Sequence, residues 1–286
     1  PREAKQYNWQ QLRQEHWAWK PVQRPAYPEV KGSHWIKNPL DFFILSRLEQ
    51  AGLQPAPAAD KRNLLRRVHL DLTGLPPTPE EMKAFAKDER PDAYRRVIDN
   101  LLSRPQYGER WGRHWLDVAR YSDGLGGFGQ PRLPHAYHYR DWITKAFNRD
   151  LSYDQFIRLQ IAGPTESTSR DAPATGFLAL GPTYKSDGGD PESKAQAQSE
   201  TLDDRVDTFS RGLLGLTVSC ARCHDHKFDP IPTIDYYSLA GVFNNTRATV
   251  SPFAPADTVQ KYQKSQQVIK ELDTAIKKLQ AEATKG

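Results

Sequence analysis

The chain has 286 residues, 37% of them hydrophobic, which is long enough for one large domain or two modest ones. Its formal net charge is +5, but both signs are interspersed and no nucleic-acid motif accompanies the excess, so nucleic-acid binding is excluded as a reading. Mean hydropathy is −0.76 and no apolar run approaches the roughly 20 residues of a membrane span, so no transmembrane segment is expected and some segments should be extended or tail-like.

Residues 1–37, rich in Trp, Pro and Gln, read as an extended arm with aromatic anchors, because each proline disfavours helix in the residue before it. The first helix is expected over 39–51, with Asn38 as cap, Pro39 in its first turn and Gly52 as its stop. A second covers about 60–71. Thr78-Pro79-Glu80-Glu81 forms a capping box that starts a third near 79–88. A fourth runs over 91–103, with Tyr94, Val97, Ile98, Leu101 and Leu102 on one face, and a fifth over 107–122. Helices at 138–149 and 152–162 follow.

Residues 163–200 are polar and rich in Gly, Pro, Ser and Asp, and are expected to form a loop insertion. Helix resumes near 200–216, then at 234–243. Residues 257–286 carry heptad-like apolar positions among Lys, Gln and Glu, as in a long exposed helix. The fold class is therefore mainly α: an irregular multi-helix domain with long loops, an extended N-terminal arm and a long C-terminal helix. The expected organisation is an arm at 1–37, a helical domain at 38–245, and a linker with a long helix at 246–286 that leads towards a further domain.

Cys220-Ala221-Arg222-Cys223-His224 carries the strongest chemical signal, and its cysteines are the only two of the chain. Cys-x-x-Cys-His is the attachment sequence of c-type haem: two thiols add to the vinyl groups as thioethers and the adjacent imidazole binds iron from the proximal side. The pair is also compatible with a redox disulfide or with half a zinc site. No βαβ pattern supports the first. A second, distant ligand pair is missing for the second, since the remaining donors crowd together as His224 and His226.

The far side of the iron has several candidates. His114, set among Trp111, Trp115 and Tyr107, is the preferred distal ligand; its plainer role is a core histidine paired with a carboxylate. Met82 reads as a helix-face residue, His69 as a packed one. His135 and His138 flank a Gly/Pro loop, while His16 and His34 lie in the arm. His226, Lys227, Arg222 and Arg120 are candidates for haem propionates. Asp225 and Asp229 are suited to orienting an imidazole or to capping turns around Pro230. Gly124-Leu125-Gly126-Gly127-Phe128-Gly129 matches G-x-G-x-x-G, but it follows a helix and meets Pro131 and Pro134, so it is rejected as a dinucleotide loop.

Three stretches together resemble a known family. They are Leu70-Asp71-Leu72-Thr73-Gly74-Leu75-Pro76-Pro77-Thr78-Pro79-Glu80-Glu81, Tyr107–Trp111 with His114–Tyr121, and Gly215–Val218 with Cys220–Ile231. The chain is similar over about residues 35–245 to the planctomycete cytochrome C domain family, found in large secreted proteins of Planctomycetes and relatives. It departs from that family around 124–130, where glycines replace more polar residues. The resemblance implies an exported, periplasmic or extracellular multidomain protein. It also implies haem c bound through Cys220, Cys223 and His224.

The leading expectation is thus a mono-haem electron-transfer module whose partner is a redox protein or a following domain of the same chain. Its leader is expected upstream of Pro1. One alternative is a haem-dependent oxidative enzyme with an open distal site, served by His114, Arg120 or Tyr121. The other is a haem-free disulfide or metal-binding module.

Overall fold

The computed structural model describes residues 7–124, 133–165, 170–186, 188–249, 252 and 254–283. Its regular elements are helical, with no strand among the described residues, so the mainly α expectation holds. The chain divides into two compact units. One comprises Pro1–Tyr107 with Cys220–Asp235, the other Gly108–Ser219 with Tyr236–Gly286.

In the first unit, local signals set the helix ends. Asn38 caps α2 (Pro39–Gln50), and Asp60 caps α3 (Lys61–Thr73), which Gly74 stops at φ 71°. The capping box forms as its spacing predicts: Glu81 N donates to Thr78 Oγ1 at 3.2 Å and Thr78 N donates to Glu81 Oε2 at 2.7 Å, opening α4 (Pro79–Lys87). α5 (Ala93–Leu102) completes the bundle. Leu65, Phe85 and Ala93 form its core, with Met82, Tyr94 and Val97 packed against them.

The arm is less extended than its prolines suggest. Residues Trp9–Glu15 form a short helix, α1, capped by Asn8, and 3₁₀ turns follow at Trp17–Trp19 and Ser33–Trp35. Trp17 is 80% exposed, its ring stacked on the neighbouring His16 at 5.9 Å. Tyr27 does anchor, stacking on Phe42 with centroids 5.0 Å apart.

The second unit is built around aromatic rings. Tyr139, Trp142, Ile143 and Ala146 of α7 (Tyr137–Asn148) bury against Phe156 of α8 (Tyr153–Ala162) and against Ala174 and Phe177 of a 3₁₀ stretch, Ala172–Leu178. Gln160, only 1% exposed, sits within this core. Its Oε1 accepts from Tyr139 OH at 2.6 Å and from Trp115 Nε1 at 2.8 Å, so a buried amide is satisfied by two ring donors. α6 (Pro105–Val118) approaches α7 closely through glycines. A Cβ on Gly108 would lie 2.3 Å from Thr144 O, and Gly108 N instead donates to Asn148 Oδ1 at 2.8 Å.

α6 ends at Val118, four residues before the expected 122. Arg120 N donates to Asp117 O at 3.1 Å and Tyr121 N to Leu116 O at 2.9 Å, the double bond pattern of a Schellman ending. This places Arg120 at φ 52°, a position usually held by glycine. α9 (Pro191–Phe209) begins well inside the stretch expected as loop: Asp190 caps it and Pro191 occupies its first position. A π-helical turn, Ser210–Leu214, ends it and α10 (Thr233–Asn244) follows later. The long C-terminal helix is present as α11 (Ala256–Ala283), solvent-exposed along nearly its whole length.

Candidate functional site

The Cys-x-x-Cys-His segment opens in a 3₁₀ turn, Val218–Arg222. Side chains three residues apart eclipse in such a turn. Val218 and Ala221, three residues apart in that turn, are buried, while Cys220 and, just past its end, Cys223 are exposed and form no disulfide. His224 follows, also exposed. Its Nδ1 lies 2.8 Å from Asp225 O, so that nitrogen carries the proton and Nε2 is left as a lone-pair donor.

The residues after it form a self-contained turn. Asp225 Oδ1 accepts from Thr233 N at 2.9 Å, at the start of α10. His226 Nδ1 accepts from Asp229 N at 2.8 Å and from Phe228 N at 3.2 Å, and its side chain is buried. His226 is therefore turned into the loop, not outward as a propionate partner would be. Asp229 faces both His226 and His16 Nε2, the latter at 3.6 Å. Arg13 donates to Pro230 O at 3.2 Å and pairs with Asp235. The short arm helix α1 thereby clasps this loop across more than two hundred residues of sequence.

The other candidates are dispersed. His114 lies in the second unit, exposed on α6 with its ring edge against Trp111 at 5.5 Å. Tyr121 OH donates to Asp123, and burial together with that carboxylate raises its pKa well above the phenol range. Arg120 is committed to Asp204 and Asp207 of α9. Burial pushes the Asp204 carboxyl up despite Arg120, whereas Asp207, which also takes Arg211 at 2.7 Å, is held below the usual range. His69 is a packed core residue, 3% exposed, and burial lowers its pKa although Glu81 lies 4.0 Å away. Met82 packs in the first unit's core. His135 and His138 have ring centroids 6.2 Å apart. The G-x-G-x-x-G stretch lies outside the described residues from Leu125 onward.

The donor set of Cys220, Cys223 and His224 fits the chemistry that a covalent haem requires: two free thiols and, beside them, an imidazole whose Nδ1 is bonded to a backbone carbonyl. Among the described residues no three His, Cys, Asp or Glu side chains converge on one point.

The first of the three sequence stretches spans the end of α3 and the start of α4, the second lies in α6 and its ending, and the third holds the turns around Cys220–Ile231. The chain belongs to the PSCyt2 family. Residues 39–248 match that family, described as a protein of unknown function (DUF1549). The PSCyt2 segment runs from α2 through α10 and includes Cys220, Cys223 and His224; the arm helix α1 and the long α11 fall outside it. No curated protein and no solved structure matches the chain. Among the described residues no helix is long and apolar enough to cross a membrane.

The Arg13 and His16 clasp and the Arg120–Asp204–Asp207 network were not legible as sites in the sequence. Asp203, Asp204 and Asp207 at helical spacing were the one available signal for the second.

Proposed function

We propose that this PSCyt2 domain binds a c-type haem covalently and passes electrons in an exported protein. The observation that carries the reading is the pairing of two free, outward-facing thiols with an imidazole whose Nδ1 is already committed to a backbone carbonyl. Bound haem supplies a one-electron iron couple whose potential follows its axial ligands and surroundings. Cys220 and Cys223 would hold it through two thioethers. His224 would offer Nε2 to the iron, with the bond from Nδ1–H to Asp225 O fixing the tautomer. Thr233 N holds Asp225 in turn. Arg222 and Lys227 are the cations nearest in sequence for the propionates.

On this reading the electron partner would be a redox protein or a following domain. In the oxidative alternative Arg120 and Tyr121 are already engaged by carboxylates.

A second reading, a haem-free structural module, is favoured by one observation: the segment satisfies itself. Asp225, His226 and Asp229 bond within their own loop, and Arg13 fastens it. Co-expression with haem-ligation machinery, then intact mass and a pyridine haemochrome spectrum, separates the two. The first reading expects the mass of one haem, lost in Cys220→Ala/Cys223→Ala. A colourless protein of unmodified mass with two titratable thiols refutes it and supports the second.

A further inference from the structure

A cavity of about 480 Å³ opens in the second unit, between α9, the loop before it and the end of α10. That volume falls in the range of small-molecule sites, roughly 300–1,000 Å³. One face of α9 supplies Lys194, Gln198, Thr201 and Arg205, spaced at three and four residues so that they line one stripe. Lys185 comes from the loop, and Phe243 and Leu202 supply apolar surface.

The charge is one-sided. Among the described lining residues, Lys185, Lys194 and Arg205 are cations and none is a carboxylate; Asp187 lies outside the described residues. Arg205 is the informative member. Half-buried Arg13, Arg104, Arg120 and Arg149 each pair with a carboxylate. Arg205 is equally half-buried, yet it has neither ion pair nor hydrogen bond among the described residues. A partly desolvated guanidinium without a counter-charge is unfavourable unless a ligand supplies one.

The walls are also set in place. Tyr184 N donates to Thr201 Oγ1 at 3.0 Å, and Thr201 Oγ1 donates to Ala197 O at 2.9 Å. Ser186 Oγ and Ser193 Oγ are 2.7 Å apart, tying the loop to the first turn of α9. Gln198 Nε2 reaches Asn244 Oδ1 at 3.5 Å.

The geometry points to an anion site here, one that takes a phosphate or sulfate group, free or carried on a small polar molecule, with Arg205 as its principal contact and Lys194 and Lys185 as supporting charges. The site is independent of the haem reading, and its residues include none of Cys220, Cys223 or His224.

The test is titration calorimetry of the full chain at low salt with inorganic phosphate, inorganic sulfate, glucose 6-phosphate and glucose. Saturable binding of the anions without binding of glucose is expected. Arg205→Gln should weaken it by about tenfold, the loss of a charge-assisted bond. Lys194→Gln, on an exposed side chain that the fold does not need, should weaken it less. Circular dichroism of each variant checks that it folds. Tighter binding of glucose 6-phosphate than of inorganic phosphate assigns the site to an ester, and the reverse to the free ion. No anion binding by the wild type, or binding unchanged in both variants, overturns the proposal.

Discussion

Arg120 stores backbone strain that its ion pairs offset, and the two contributions can be separated. Its φ of 52° sits where a side chain costs about 1–2 kcal/mol relative to a right-handed conformation, a cost glycine escapes. Against that, its guanidinium bonds Asp204 and Asp207, whose side chains are only 10% and 12% exposed. Removing one partner of a well-buried pair costs about 3–5 kcal/mol. Arg120 itself keeps a third of its surface, and Asp207 retains Arg211, so the lower end applies. Arg120→Ala keeps the strain and loses the pairs, for a loss of about 3 kcal/mol. Arg120→Gly loses the same pairs but relieves the strain, for a loss of about 2 kcal/mol. Urea unfolding at pH 7, followed by tryptophan fluorescence with the slope held equal, measures both. Because Arg120 holds down an Asp204 carboxyl that burial raises, the Ala variant's deficit should shrink at pH 4, where that carboxyl can be protonated. If Arg120→Gly is no more stable than Arg120→Ala, the strain argument is wrong. A loss below about 1 kcal/mol in both would mean that the pairs behave as solvent-exposed ones.

Gly108→Ala would place a Cβ 2.3 Å from Thr144 O and should destabilise by about 2–3 kcal/mol. Gly112→Ala meets an Ile143 methyl at 3.3 Å and the Thr144 backbone at an ordinary 3.6 Å, and it gains helix propensity, so thermal melts of the two variants should differ clearly and Gly112→Ala should stay within about 1 kcal/mol of the parent. Gln160→Leu removes the shared acceptor of Tyr139 OH and Trp115 Nε1 and should cost about 2 kcal/mol in denaturant, with a change in near-ultraviolet dichroism from Trp115; no change in either would deny Gln160 its place in the core. His69 has a folded pKa below its unfolded value of about 6.5, so its contribution is complete above that pH and is lost as pH falls through it. The drop in urea midpoint between pH 8 and pH 5.5 should therefore be smaller in His69→Gln, and an equal drop would assign the acid sensitivity elsewhere.

What the sequence determined by itself is local and covalent. Asn38, Thr78 with Glu81, Gly52 and Gly74 mark helix ends because capping is satisfied within a few residues of chain. The adjacency of Cys220, Cys223 and His224 was readable for the same reason. α9 was misplaced although Asp190 and Pro191 announce it, because a helix with few apolar residues in its first two turns carries no hydrophobic period to find. Tertiary structure alone decided the rest. Arg120 meets Asp204 across 84 residues and Arg13 meets Asp235 across 222, and no spacing rule reaches so far. It also decided that Arg205 is left without a carboxylate while Arg104 and Arg149, also half-buried, find one. The physical reason is common to all three: a charge's partner is chosen by which surfaces lose water together, and that depends on packing between elements distant in the chain.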